Sequence, residues 1–146
     1  MGMRIVIGSD HRGYHLKEDL IKFFKETSVD FKDVGTNSID SVDYPDFAKL
    51  VGNAILKDGY DIGILICGSG IGVSIAANKV NGLRAVNANN NNMAEMARKH
   101  NNANVICFGS DFIDIEKAKR FLEIFMNTEF EGGERHIRRI QKLENN

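Results

Sequence analysis

Cys67 closes the apolar run Asp61-Ile62-Gly63-Ile64-Leu65-Ile66, and Gly68-Ser69-Gly70-Ile71-Gly72 follows at once. The run reads as a short buried strand, and Val73 to Lys79 beyond the glycines has helical character. Strand, glycine turn and helix in that order aim several backbone N–H groups at one point, at the positive end of a helix dipole. Such a nest favours an anion, or an oxyanion that forms during a reaction. It also sets a thiol at its lip, where a helix N-terminus favours the thiolate. The dinucleotide fingerprint G-x-G-x-x-G fails, because the pattern here is G-x-G-x-G and Ala88 to Asn92 holds no acid for a ribose. The Walker pattern fails as well, with Val73 where its second glycine belongs. What remains is a small anion, a transient oxyanion, or a tight turn with no ligand.

Other groups fit the same chemistry. Asp10-His11 follows the first strand and offers a carboxylate and an imidazole, or a helix cap and a surface ring. His100 ends a helix and opens Asn101-Asn102-Ala103-Asn104, as a catalyst or as a charge on the helix C-terminus. Cys107 ends a similar apolar run without a glycine nest and belongs to the core. On a helical wheel Arg135, Arg138, Arg139 and Lys142 share one face of the tail, and Ile137, Ile140 and Leu143 the other. Arg135 and Arg139, at i and i+4, fit one phosphate between two guanidinium forks, or form a solvated basic face. A thiol, an oxyanion nest, an acid, two histidines and an arginine pair, with no metal cluster and no nucleotide loop, suit proton transfer beside the carbonyl of a phosphorylated substrate.

The elements that must position these groups alternate. Strands are expected at Met3–Gly8, Val29–Val34, Asp61–Cys67, Leu83–Val86 and Asn104–Phe108. Helices are expected at Tyr14–Glu26, Pro45–Lys57, Val73–Lys79, Met93–Lys99, Asp114–Asn127 and Glu134–Leu143. The strands are continuous apolar runs, the mark of a parallel sheet covered on both faces. The expectation is one α/β domain over residues 1–146: a three-layer sandwich on a five-stranded parallel sheet, with helices on both faces and a further helix at the C-terminus. In such folds ligands bind beyond the carboxyl ends of the strands, where Asp10-His11 and Cys67 to Gly72 lie.

The chain carries 19 basic and 20 acidic residues, a balance that argues against nucleic acid as the main partner. No apolar run approaches the roughly 18 residues needed to span a bilayer. The two cysteines, 40 residues apart and outside any CxxC pair, look like reduced thiols of a cytoplasmic protein.

Several segments in order resemble the ribose-5-phosphate isomerase B family, which includes the galactose-6-phosphate isomerase subunits. They are Gly8-Ser9-Asp10-His11, Asp43-Tyr44-Pro45, Cys67-Gly68-Ser69-Gly70-Ile71-Gly72 with Ala76-Ala77-Asn78-Lys79, Arg84-Ala85, Ala97-Arg98-Lys99-His100-Asn101, Phe108-Gly109-Ser110, and Phe130-Glu131-Gly132-Gly133 followed by Arg135-His136. The resemblance spans nearly the whole chain. It implies a Rossmann-like fold and a cofactor-free aldose–ketose isomerase of the pentose phosphate pathway's non-oxidative branch, acting on a phosphorylated pentose. It implies a homodimer or dimer of dimers with active sites shared between subunits. By the same resemblance Cys67 is the base that moves a proton between C1 and C2. Ser69 and the Gly68, Gly70, Ile71 and Gly72 amides hold the enediolate oxygens, and His100 assists ring opening with Asp10 nearby. His11, Arg135 and Arg139 take the phosphate, Asp10 and Asn101 also contact substrate, and no metal is involved. A hexose 6-phosphate substrate, or phosphosugar binding without catalysis, are the alternatives; a mere sensor needs the nest but no thiol.

Two positions depart from the family. Glu134 is inserted before Arg135, so Arg138 competes with Arg139 for the phosphate. Asp111 stands where many members carry an arginine, which puts a negative charge close to the expected phosphate. Topology adds a constraint: His100 follows a helix and precedes a strand, so it sits at the sheet edge opposite Cys67 and Asp10. If it serves the same site, it comes from a second subunit.

Overall fold

A computed structural model describes residues 2–145. Eleven elements follow one another: β1 (Ile5–Ser9), α1 (Tyr14–Glu26), β2 (Phe31–Asp33), α2 (Tyr44–Lys57), β3 (Ile62–Cys67), α3 (Ile71–Asn78), β4 (Ala85–Asn87), α4 (Asn91–Asn101), β5 (Val105–Gly109), α5 (Ile115–Asn127) and α6 (Glu134–Glu144). The five strands form one parallel sheet in the order β2-β1-β3-β5-β4. β1, β3 and β5 are the inner strands and are buried at every residue, which is why their sequences read as unbroken apolar runs. β2 and β4 are three-residue edge strands.

Two cores flank the sheet. On one face Leu16, Leu20 and Phe24 of α1, Ala94 and Ala97 of α4, and Ala118, Phe121, Leu122 and Phe125 of α5 pack on Ile5, Ile7, Ile64, Ile66 and Phe108. On the other, Ala48, Val51 and Ala54 of α2 and Val73 and Ala77 of α3 pack on Val6, Leu65, Val105 and Cys107. Burying each of the larger aliphatic or aromatic side chains is worth about 1.5–3 kcal/mol, so these faces supply most of the favourable free energy. Lys17 is the exception inside the first core. It is wholly buried, and its ammonium is held by Asp33 at 2.9 Å and Glu18 at 3.0 Å.

The helix starts follow local chemistry. Asp114 caps α5 by accepting the Lys117 N–H at 2.9 Å, and Pro45 occupies the first turn of α2. Asn90 caps α4 by accepting the Met93 N–H at 2.8 Å, so α4 begins at Asn91, two residues before the expected start. α3 likewise begins at Ile71 rather than Val73, which puts Gly72 inside its first turn. Its N–H remains one of the four that a helix start leaves without a partner.

This order positions the site. β1 runs into α1 on one face, and its neighbour β3 runs into α3 on the other. The chain therefore diverges between the carboxyl ends of β1 and β3, the crevice where open α/β sheets bind ligands.

Candidate active site

Three strand-end loops are knitted together at that crevice. The Asp10 N–H donates to the Ile66 carbonyl at 3.0 Å, the Ser110 N–H to the Cys67 carbonyl at 2.9 Å, and the Asp111 N–H to the Gly68 carbonyl at 2.9 Å. The Ser110 hydroxyl donates to the Arg12 carbonyl at 2.9 Å, which ties the β5 loop to the β1 loop.

Cys67 is 5 % exposed at the floor of the crevice. Its Sγ accepts the Gly70 N–H at 3.2 Å, so a backbone donor already faces the sulfur. Gly70 is the α3 N-cap and has φ of +78°, a left-handed conformation that favours glycine. A Cβ on Gly70 would lie 2.9 Å from the Gly109 nitrogen and against Asn87 Oδ1. Gly70→Ala is therefore expected to cost about 2–3 kcal/mol, from left-handed strain plus displacement of the β5 backbone. Thermal denaturation should show a melting temperature lower by roughly 5–10 °C, and turnover should fall as the Sγ contact is lost. The other thiol, Cys107, is buried beneath the site. Burial, and secondarily the nearby Cys67, pushes its pKa far above the usual thiol value, so it stays protonated as the core thiol the sequence suggested.

Around the nest the expected groups take defined postures. Ser69 Oγ accepts the Ile71 N–H at 3.1 Å, which leaves its hydroxyl proton for a ligand. Asp10 is buried, and its Oδ1 takes both the Arg12 N–H at 2.9 Å and the Gly13 N–H at 3.1 Å. It thus orders the turn before α1 while standing at the crevice, but it does not cap the helix: Gly13 is the α1 N-cap, with no side-chain cap hydrogen bond. His11 Nδ1 accepts the Val42 N–H at 3.2 Å, which assigns the proton of the neutral ring to Nε2 as a donor. Tyr44 lies over α3, because a Cβ on Gly72 would meet its ring at 2.8 Å.

Asp111 corrects an expectation. Its charge does not stand alone near the site: Oδ2 accepts from Arg12 Nη2 at 2.6 Å. Arg12 is a residue that sequence reasoning passed over, since an arginine in an exposed turn carries no motif.

His100, Asn101, Arg135 and Arg139 are not brought to this crevice. His100 lies in the last turn of α4, which ends at Asn101 before β5 begins, and α6 packs against α4. Glu144 of α6 pairs with Arg84 and accepts the Gly82 N–H, just before β4. All of these lie along the amino edge of the sheet, roughly 16 Å away by the rise of a five-residue strand. There His100 and His136 stack with ring centroids 4.6 Å apart and planes at 11°. Glu131 spans them, with Oε2 3.7 Å from His100 Nε2 and Oε1 3.9 Å from His136 Nε2. The sequence suggested no metal cluster, yet one donor atom from each of these three lies within 4.8 Å of the others. An ion binds an imidazole in the plane of its ring, and two stacked parallel rings cannot both point at one ion. The arrangement therefore does not suit a single metal ion, and what joins the two rings is their stacking. The tail also differs from its wheel reading. His136 is the buried residue of α6, whereas Ile137 is 41 % and Leu143 55 % exposed, and Arg135, Arg138 and Arg139 are exposed and make no ion pair among the described residues.

The sequence model of the Ribose/Galactose Isomerase family matches residues 5–143. Ribose-5-phosphate isomerase B of Escherichia coli is 40% identical over 140 residues, covering 96% of this chain and 93% of that one. The fold superposes on the ribose 5-phosphate isomerase of Thermotoga maritima with a TM-score of 0.96, 42% identity and full coverage of both chains. With ribose-5-phosphate isomerase B of Clostridium thermocellum the TM-score is 0.94 at 43% identity, over 98% of this chain and 96% of that one. No helix among the described residues is long and apolar enough to cross a membrane. Match, identity and superposition all run essentially from end to end, and the chain belongs to the ribose/galactose isomerase family of sugar-phosphate isomerases.

Proposed function

We propose that the protein interconverts ribose 5-phosphate and ribulose 5-phosphate by proton transfer through an enediolate. The observation that carries this reading is Cys67: a thiol at the floor of the crevice, with its Sγ facing the Gly70 N–H beside the start of α3. In the open-chain aldose, the Cys67 thiolate takes the C2 proton, and the C–H electron pair forms the C1–C2 double bond. The C1 carbonyl oxygen becomes the oxyanion, which accepts the Gly72 N–H and the Ser69 hydroxyl within the Gly68 to Gly72 nest. A proton passes from O2 to O1, and Cys67 returns its proton to C1, leaving the ketone at C2. Nothing is oxidised or reduced overall, so the chemistry calls for no redox cofactor.

His11 donates Nε2–H toward the phosphate, and Asp10 orders the loop that carries it. His100 assists ring opening, its ring stacked on His136 with the Glu131 carboxylate 3.7 Å from its Nε2. Because His100 and Asn101 lie at the opposite sheet edge, they serve the crevice of a second subunit together with Arg135 and Arg139 or Arg138. The protein is then a homodimer, or a dimer of dimers, whose sites each draw on two chains. The exposed Ile137 and Leu143 of α6 suit burial against such a partner. This activity belongs to cytoplasmic sugar metabolism, in the non-oxidative branch of the pentose phosphate pathway.

The test is turnover of ribose 5-phosphate beside galactose 6-phosphate and allose 6-phosphate at equal concentrations. Ribose 5-phosphate should have the highest kcat/KM, by about tenfold or more on the scale of one well-made polar contact. A hexose phosphate turned over faster would move the substrate assignment within the family. Binding without turnover of any of the three would leave a phosphosugar-binding protein.

A further inference from the structure

We propose that Arg12 is the guanidinium each subunit presents from its own nest to the substrate phosphate, with Asp111 as the residue that positions it. The proposal rests on the sugar-phosphate reading above and adds a binding residue to it. Arg12 lies on the same turn as Asp10 and His11, and its side chain lies across Gly68. A Cβ on Gly68 would sit 2.8 Å from Arg12 Cζ, 2.8 Å from Nε and 3.1 Å from Cδ. Only a residue without a side chain at 68 lets the guanidinium lie on the nest in this way.

Arg12 is fixed from both ends. Its N–H donates to Asp10 Oδ1 at 2.9 Å, and its carbonyl accepts the Ser110 hydroxyl at 2.9 Å. Its Nη2 donates to Asp111 Oδ2 at 2.6 Å, while Asp111 is itself anchored through its N–H on the Gly68 carbonyl at 2.9 Å. The side chains are 58 % and 42 % exposed, and an ion pair that open to water adds little to stability. What the pair does is hold a planar cation at one place. A guanidinium carries five N–H donors, and Asp111 takes one; no other acceptor engages the Arg12 side chain among the described residues. The free edge of the fork matches a phosphate dianion. The position, at the outer rim rather than beside the buried Sγ, suits the phosphate end of the substrate rather than the reacting carbons. Arg135, Arg138 and Arg139 lie on α6 at the other sheet edge, so within one subunit Arg12 is the arginine whose side chain touches the nest.

The experiment measures steady-state kinetics with ribose 5-phosphate and calorimetric binding of inorganic phosphate for wild type, Arg12→Gln, Arg12→Asp, and the swap Arg12→Asp with Asp111→Arg. Arg12→Gln should raise KM about tenfold with kcat within about twofold, the pattern of lost uniform binding, and weaken phosphate binding in parallel. Arg12→Asp should be worse than Arg12→Gln. The swap returns a guanidinium to the rim on the other loop, and KM should recover most of the loss. An unchanged KM and phosphate affinity in Arg12→Gln overturns the proposal, as does a loss confined to kcat, which would place the group at the transition state instead. If the wild type isomerises no sugar phosphate, the activity reading fails, and the phosphate titrations still decide the role of Arg12.

Discussion

Cys67→Ser is expected to fold, to bind substrate with nearly unchanged affinity, and to turn it over at least about a hundredfold more slowly. Serine is close to cysteine in size, and its oxygen can still accept the Gly70 N–H that now reaches Sγ at 3.2 Å. The nest and the α3 cap therefore survive the change. What is lost is acidity: an alcohol is a far weaker acid than a thiol and cannot share the role of base. A hundredfold loss corresponds to about 2.7 kcal/mol of transition-state stabilisation. Exchange of solvent deuterium into the product should fall with turnover, because both use the same proton on the same sulfur. Cys107 offers no substitute, since it is wholly buried and its pKa is pushed up, chiefly by burial. Undiminished turnover in Cys67→Ser would sink the assignment. Asp10 would be the next candidate base, although its Oδ1 is already occupied by the Arg12 and Gly13 N–H groups.

Much of the scaffold was legible because parallel sheets announce themselves. The β3 residues Ile62 to Cys67 are all buried, so the sequence there has no polar alternation to obscure the strand. The helix starts were less legible. Asn89 to Asn92 reads as a polar loop, yet Asn90 caps α4 and Asn91-Asn92 form its first turn. Asparagine serves both purposes, and only the backbone conformation separates them. α3 hid its start for a similar reason: Ile71 and Gly72 look like a continuation of the glycine turn, but the turn ends at Gly70.

The site divides in the same way. Cys67, Asp10 and His11 are legible because each ends or follows a strand, and topology brings strand ends to one edge. Arg12, Asp111, Glu131 and His136 act through spatial neighbours that no local pattern encodes. Arg12 meets Asp111 across 99 positions in the chain. His136 carried no reliable signal either: its wheel neighbours Ile140 and Leu143 are half-buried and exposed, and His136 is the buried residue of α6. Its ring stacks on His100, so the C-terminal helix sets the posture of a histidine 36 residues earlier.

The division of the proposed catalytic groups between two sheet edges has its own test. Mixing inactive Cys67→Ala protein with inactive His100→Ala protein, under conditions that let subunits exchange, is expected to restore activity. In the heterodimer the crevice of the Cys67→Ala chain lacks its own thiol and receives no imidazole from the His100→Ala partner, so it is doubly damaged. The other crevice holds Cys67 from the His100→Ala chain and His100 from the Cys67→Ala chain, and is intact. With equal amounts and random exchange, about half of the dimers are mixed and each has one working site, so about a quarter of wild-type activity should return. The geometry demands this outcome if His100 acts at all. β5 spans five residues at about 3.3 Å each, and neither a cysteine nor a histidine side chain bridges the resulting distance within one subunit. The length of the gap also makes the result hard to mimic by local rearrangement. If exchange is confirmed by mass-tagged chains and no activity returns, His100 is not shared across an interface. Its role in ring opening then falls, and Glu131 and His136 are left as structural partners of a helix end.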